Sequence, residues 1–150
     1  DLHIHDLDVI ISLFGKPETV ACTTAGGADK PYREQYRFQY GYPNLTVCAE
    51  AAWLNAAIPF TARWRVYFER GMMVNDETGV HGYAADGEVT AFDIEDPVKI
   101  PTGINLPPTG WFLRELTHFV ACVKDGRPSE LVPREQVLGV LETLSGIDIR

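Results

Sequence analysis

The sequence predicts an α+β fold, an open and predominantly antiparallel β-sheet with helices packed on one face. Three observations carry that prediction. A helical apolar stripe opens the chain, six or seven short β-patterned stretches follow on hairpin-length loops, and two more helical stripes close it.

In the opening stretch, Leu7, Ile10 or Ile11, and Phe14 recur at helical spacing, and Gly15 then Pro17 stop the helix. Glu18 to Thr24 is β-branched and small, a buried-strand pattern, and Ala25 to Tyr32 is turn-rich. Tyr36, Phe38 and Tyr40 then alternate with Arg37 and Gln39, giving a half-buried strand. Gly41-Tyr42-Pro43-Asn44 turns the chain, and Leu45 to Leu54 returns. Ala62, Trp64, Val66 and Phe68 alternate with Arg63, Arg65, Tyr67 and Glu69, the cleanest period-two signal present. Glu69-Arg70-Gly71 turns into Met72 to Asn75, and His81 to Ala84 pairs with Val89 to Ile94 around Asp86-Gly87. A proline-rich crossing runs from Asp96 to Pro108. One closing helix spans Trp111 to Lys124, with Phe112, Leu116, Phe119 or Val120, and Val123 as its stripe, ended by Gly126. The other starts at Pro133 and buries Val137, Val140 or Leu141, and Leu144. Trp64 and the helix face around Phe119 are expected in the core. Helices can cover only one sheet face, so the other is open, with Arg37, Gln39, Arg63, Arg65 and Tyr67 as its candidates.

Bulk properties exclude several functions. At 150 residues the chain is expected to be one domain, residues 1–150, large enough to bury a core without staples. The net charge of −8 argues against nucleic acid as a partner, which needs a basic face. No apolar run approaches the roughly 18 residues that span a bilayer, so no membrane partner is expected. Cys22, Cys48 and Cys122 are odd in number, widely spaced and set in apolar runs. They read as reduced packing residues of a cytoplasmic protein. The chain opens on a charged residue with no lead-in, which reads as the later part of a longer chain cut at a domain junction.

The chemistry concentrates at the start. Asp1-Leu2-His3-Ile4-His5-Asp6-Leu7-Asp8 packs two imidazoles and three carboxylates into eight positions, then runs into the helical stripe. Asp1 and His5 are four apart and can share a helix face. A histidine oriented by a carboxylate suits proton transfer near neutral pH. Asp6 and Asp8 are expected as first-turn acids complementing the helix dipole. Lys30 and Arg33, after the first strand, are candidate contacts to a hydroxyl-rich or acidic substrate.

Two families share features of this opening. Asp1-Leu2-His3-Ile4-His5 resembles the first metal-binding strand of amidohydrolase-type enzymes, which implies a metal-dependent hydrolase through Asp-x-His-x-His. That reading needs about three protein ligands and a barrel of roughly 250 residues, while only His81 and His118 remain as further histidines. Asp1-x-x-x-His5 leading into a helix also resembles the opening of the C-terminal domain of Gfo/Idh/MocA oxidoreductases. His5-Asp6-Leu7-Asp8 with Leu13-Phe14-Gly15, Tyr40-Gly41, Phe68-Glu69-Arg70-Gly71, Arg114 to Phe119, Lys124 to Pro128 and Val132 to Val137 are similar to that domain in order.

The second resemblance implies the substrate-binding and oligomerisation domain of an NAD(P)-dependent dehydrogenase, oxidising a hydroxyl of a sugar, polyol or related compound. It implies Asp1 and His5 as catalytic residues, His5 taking the hydroxyl proton and Asp1 orienting it. NAD or NADP would be held mainly by an N-terminal Rossmann domain that these residues do not include, so the isolated domain is expected to be inactive. No cofactor-binding residue and no metal is expected here; no G-x-G-x-x-G run occurs. His3 stands where the family more often has a small residue, which points to an extra substrate contact or an altered site. Homo-oligomerisation, as a dimer through the open sheet face, is the expected assembly. The rival is a non-catalytic dimerisation module with a degenerate site.

Overall fold

The first helix, α1 (His3–Phe14), buries His3, Leu7, Ile10 and Ile11 along one stripe. Gly15 ends it at φ +77°, its N–H donating to the Ile11 carbonyl at 2.9 Å. Only glycine takes that backbone conformation without strain. This is a computed structural model describing residues 3–59, 61–104 and 106–147. The chain divides into two units, Asp1–Ala56 with Cys122–Arg150, and Ala57–Ala121.

The first unit holds sheet A, the antiparallel strands β1 (Thr19–Ala25), β2 (Gln35–Gly41) and β3 (Thr46–Ala52), in that order. The register sets Cys22 beside Phe38 and Phe38 beside Ala49, with Tyr40 between Val20 and Val47. Alternation puts Tyr36, Phe38 and Tyr40 on one face, their rings nearly parallel at centroid spacings of 6.2 and 6.1 Å. That face packs into the core with Leu7, Ile10, Ile11 and Val140. On the other face Arg37 and Gln35 both donate to Glu50, each at 2.8 Å, and Arg37 and Gln39 are exposed as expected for an open face.

Helix α3 (Arg134–Ser145) packs against α1. Gly139 is buried there, and a methyl group in its place would sit 3.8 Å from Ile11 Cγ2. Asp6 lies in the first turn of α1 as expected, but Asp8 lies beyond it, because the helix begins at His3; Asp8 instead accepts from the Gln136 amide at 2.8 Å and serves the helix pair. The buried set of α3 is Gly139, Val140 and Thr143 with Leu144 partly buried; Val140 rather than Leu141 is the covered alternative, while Val137 is exposed, contrary to expectation. Helical spacing marks the apolar stripe of α3 but not the side of it that α1 covers.

The second unit carries sheet B, a meander of β4 (Trp64–Phe68), β5 (Gly71–Asp76), β6 (Gly79–Ala84) and β7 (Val89–Phe92), all antiparallel. The α+β class with antiparallel strands is thus as expected, the seven strands falling into two hydrogen-bonded ladders. Gly87, at φ +91°, completes the Asp86-Gly87 turn between β6 and β7. Trp64 is 44% exposed, not core. Alternation tells which residues share a face, not which face is covered.

Helix α2 (Trp111–Asp125) begins in the second unit and ends in the first. Asp96 fixes its start. The buried carboxylate accepts from Gly110 N at 2.7 Å, Thr109 Oγ1 at 3.1 Å, Val98 N at 2.9 Å and the Arg114 guanidinium at 2.6 and 3.2 Å. Burial pushes Asp96 up, but the Val98 and Gly110 amides, the Thr109 hydroxyl and Arg114 outweigh it and hold its pKa low. Phe119 is 63% exposed, against the expectation of a buried aromatic face; helical spacing identifies a stripe but not its cover. Among the cysteines Cys122 is buried and Cys22 half-buried, while Cys48 is exposed on the open face of sheet A. No helix among the described residues is long and apolar enough to cross a membrane.

Candidate functional site: a buried histidine at the head of the first helix

His3 is where the structure gathers polar chemistry. It is 5% exposed, and both ring nitrogens are engaged. Nε2 lies 2.5 Å from the hydroxyl of Tyr40, itself fully buried, and Nδ1 lies 3.2 Å from Asp6 Oδ2. One neutral tautomer satisfies all three groups: Nδ1–H donates to the Asp6 carboxylate, and the Nε2 lone pair accepts the Tyr40 O–H. The ring is stacked on Phe38 at 3.9 Å between centroids and 7° between planes. Burial, first, and then nearby Cys22, Tyr42 and Asp6 push the Tyr40 hydroxyl well above the ordinary tyrosine range. It therefore stays protonated, as the donor role requires.

The other expected site residues lie elsewhere. Asp1 falls outside the described residues. His5 is exposed, and no hydrogen bond holds its ring among the described residues. Residues two apart on a helix stand about 200° apart, so His3 facing the sheet turns His5 outward. The same angle separates the two imidazoles of the His-x-His pair as metal ligands, and no three His, Cys, Asp or Glu among the described residues group to hold a metal. Lys30 is ion-paired to Glu34 and sits 5.7 Å above the Tyr32 ring. The hydrogen bond that Lys30 donates to Glu34 raises its pKa, so it is charged. Arg33 is exposed, with its backbone N–H donating to the Tyr36 hydroxyl at 3.3 Å and its guanidinium without a partner among the described residues.

Tyr40 is the residue that sequence reasoning missed. Its signal was available: a hydroxyl on the buried phase of β2 needs a polar partner. A shallow groove of about 570 Å³ lies on sheet B, floored by Gly71, Gly82 and Ala84 between Phe68 and Phe92, and holds none of the expected site residues.

No family model matches the chain, and no curated protein matches it. Solved structures do. A Klebsiella pneumoniae protein provisionally assigned as an oxidoreductase matches 94% of this chain and 43% of its own, with a TM-score of 0.66 and 18% identity. One from Bacillus subtilis, of the same provisional assignment, matches 97% and 46%, with a TM-score of 0.68 and 10% identity. One from Yersinia pestis, likewise, matches 97% and 45%, with a TM-score of 0.59 and 20% identity. The chain thus shares its fold with part of these proteins and spans less than half the length of each.

Proposed function

We propose that this chain is the substrate-binding and oligomerisation domain, of Gfo/Idh/MocA type, of an NAD(P)-dependent oxidoreductase acting on a hydroxyl of a sugar, polyol or related compound. The observation that carries the reading is the fold. Nearly the whole chain matches less than half of each oxidoreductase structure, which leaves those proteins room for a further domain. The Asp1-x-x-x-His5 spacing at the head of α1 supports it.

The sequence has no glycine-rich dinucleotide loop, so these residues do not fit the cofactor themselves; a second domain of a complete chain would hold the oxidised dinucleotide, which would supply the hydride acceptor. The part of this chain is the proton. An exposed imidazole at His5 can accept it from the substrate hydroxyl as the carbonyl forms, and Asp1 would orient that ring. Arg33, with its guanidinium free among the described residues, is the better placed of the two cations to meet substrate oxygens; Lys30 is committed to Glu34.

The test uses the complete chain with its dinucleotide-binding domain, NAD and NADP, and a panel of sugars and polyols. His5→Ala should lose about 10²–10⁴-fold in kcat. A wild-type protein that reduces neither cofactor, or a variant as active as wild type, overturns the assignment.

A second reading, a non-catalytic dimerisation module, is favoured by sheet B. Tyr67, Tyr83 and Val89, which the register sets side by side on one face of it, are all exposed. A stable dimer buries about 1,200–2,000 Å² in total. Light scattering on wild type and Tyr67→Glu would show dimer turned to monomer if sheet B supplies the contact.

A further inference from the structure

We infer that His3 and Tyr40 are positioning residues for His5: their hydrogen bond pins the first turn of α1 to β2, so that His5 is presented from a turn that cannot fray. The inference rests on the role proposed above for His5.

Helix ends are where a side chain is hardest to hold. The first N–H groups have no acceptor inside the helix, and terminal turns fray. His5 sits in that turn, exposed. The next deeply buried residue beyond His3 is Leu7, one full turn on. Without His3, the turn bearing His5 would be held only by Leu7 and by the partly buried Ile4, an aliphatic side chain with no hydrogen bond to fix its orientation.

The contacts to His3 fix more than its depth. Stacking on Phe38 at 3.9 Å and 7° sets the tilt of the ring. The Tyr40 hydroxyl at 2.5 Å from Nε2 sets its rotation about the ring normal. Asp6, from the same turn, holds Nδ1 and leaves Nε2 as the acceptor that Tyr40 needs. Tyr40 is itself immobilised, fully buried between Val20 and Val47 in the middle strand of sheet A. A chain of close contacts therefore runs from a central strand to the helix backbone two residues from His5. Packing alone would be served as well by leucine at position 3. A buried imidazole with both nitrogens satisfied specifies one orientation, which a leucine does not.

Tyr40→Phe keeps the ring stack and deletes only the hydroxyl. In the complete chain, kcat should fall about 10- to 100-fold with KM unchanged, because small misplacements of a reacting group act on the chemical step. Amide hydrogen exchange over residues 4–7 should accelerate in the same variant. His3→Gln retains an acceptor near the Nε2 position and should keep more activity than His3→Leu; this pair decides the matter if Tyr40→Phe fails to fold. Unchanged kcat overturns the inference, whether or not exchange accelerates, and so does a rise in KM alone. A wild-type protein inactive on every sugar and polyol overturns the dehydrogenase reading instead. In that event accelerated exchange in Tyr40→Phe still establishes the pin, and unchanged exchange removes it.

Discussion

The His3 imidazole and the Tyr40 hydroxyl, 37 positions apart in sequence, meet at 2.5 Å in the core between α1 and sheet A. A helix terminus is thereby tied to a central strand by one polar contact inside an apolar cluster. Its value comes from what surrounds it. Leu7, Ile10, Phe38 and Val140 exclude water, and a polar group stranded among them would be costly.

Alkaline pH should expose that dependence. Tyr40 ionises far above the value of about 10 that it would have unfolded. Above pH 10 the unfolded chain releases a proton that the folded chain retains, so unfolding gains and stability falls with rising pH. Tyr42, also raised by burial, adds to the slope. Thermal melts from pH 8 to 11 should show Tm declining above pH 10, and less steeply in Tyr40→Phe. Parallel declines would mean that Tyr40 is not the group responsible. At neutral pH Tyr40→Phe should cost about 1–3 kcal/mol, the penalty of leaving His3 Nε2 unsatisfied.

Leu7 is fully buried at the centre of the same cluster. Leu7→Ala should destabilise by about 2–5 kcal/mol through lost burial and the cavity left behind. Leu13→Ala, on the exposed side of the same helix, should cost far less, and urea titration of the pair checks the difference.

Gly139 separates two effects of side-chain size. A methyl group there would meet Ile11 at ordinary contact distance, and alanine favours helix over glycine. Gly139→Ala should therefore stabilise by about 0.5–1 kcal/mol. Gly139→Leu would overfill the contact and cost about 1–3 kcal/mol. Denaturation midpoints with opposite shifts would confirm the close approach of α1 and α3.

Asp96 should govern the acid limb. Its folded pKa is below the ordinary 3.8, so its contribution is complete above that value and is lost as pH falls through the folded pKa. Asp96→Asn turns an amide toward Arg114 in place of a carboxylate oxygen. Its Tm at pH 7 should drop by several degrees, and its Tm should vary less than that of wild type below pH 4. Identical acid profiles would assign the acid sensitivity elsewhere.

Much of the fold was legible from pattern. The period-two run of β2 identified Phe38 and Tyr40 as one face and Arg37 and Gln39 as the other. Gly15, Gly126 and Pro133 marked helix ends where the backbone requires them. What pattern could not supply was partnership. Trp64 and Phe119 lie on well-formed stripes that nothing among the described residues covers fully. At the site, sequence spacing ranked His5 above His3 by its distance from Asp1. Burial and hydrogen bonding distinguish the two imidazoles, and both depend on Tyr40, a residue that spacing along α1 cannot reveal.

The hydrogen bond from Gln136 to Asp8 joins positions 128 apart, which has a bearing on how the chain is made. Strands β4 to β7 each pair with the neighbour just synthesised and can form as they leave the ribosome. The apolar stripe of α1 is made well before α3, which completes its cover. At about 5–20 residues per second that stripe waits roughly 6–25 s for its partner. Until then α1 is the most vulnerable part of the first unit. A ribosome-stalled chain ending before Arg134 should be cleaved by protease within α1 while β4 to β7 resist.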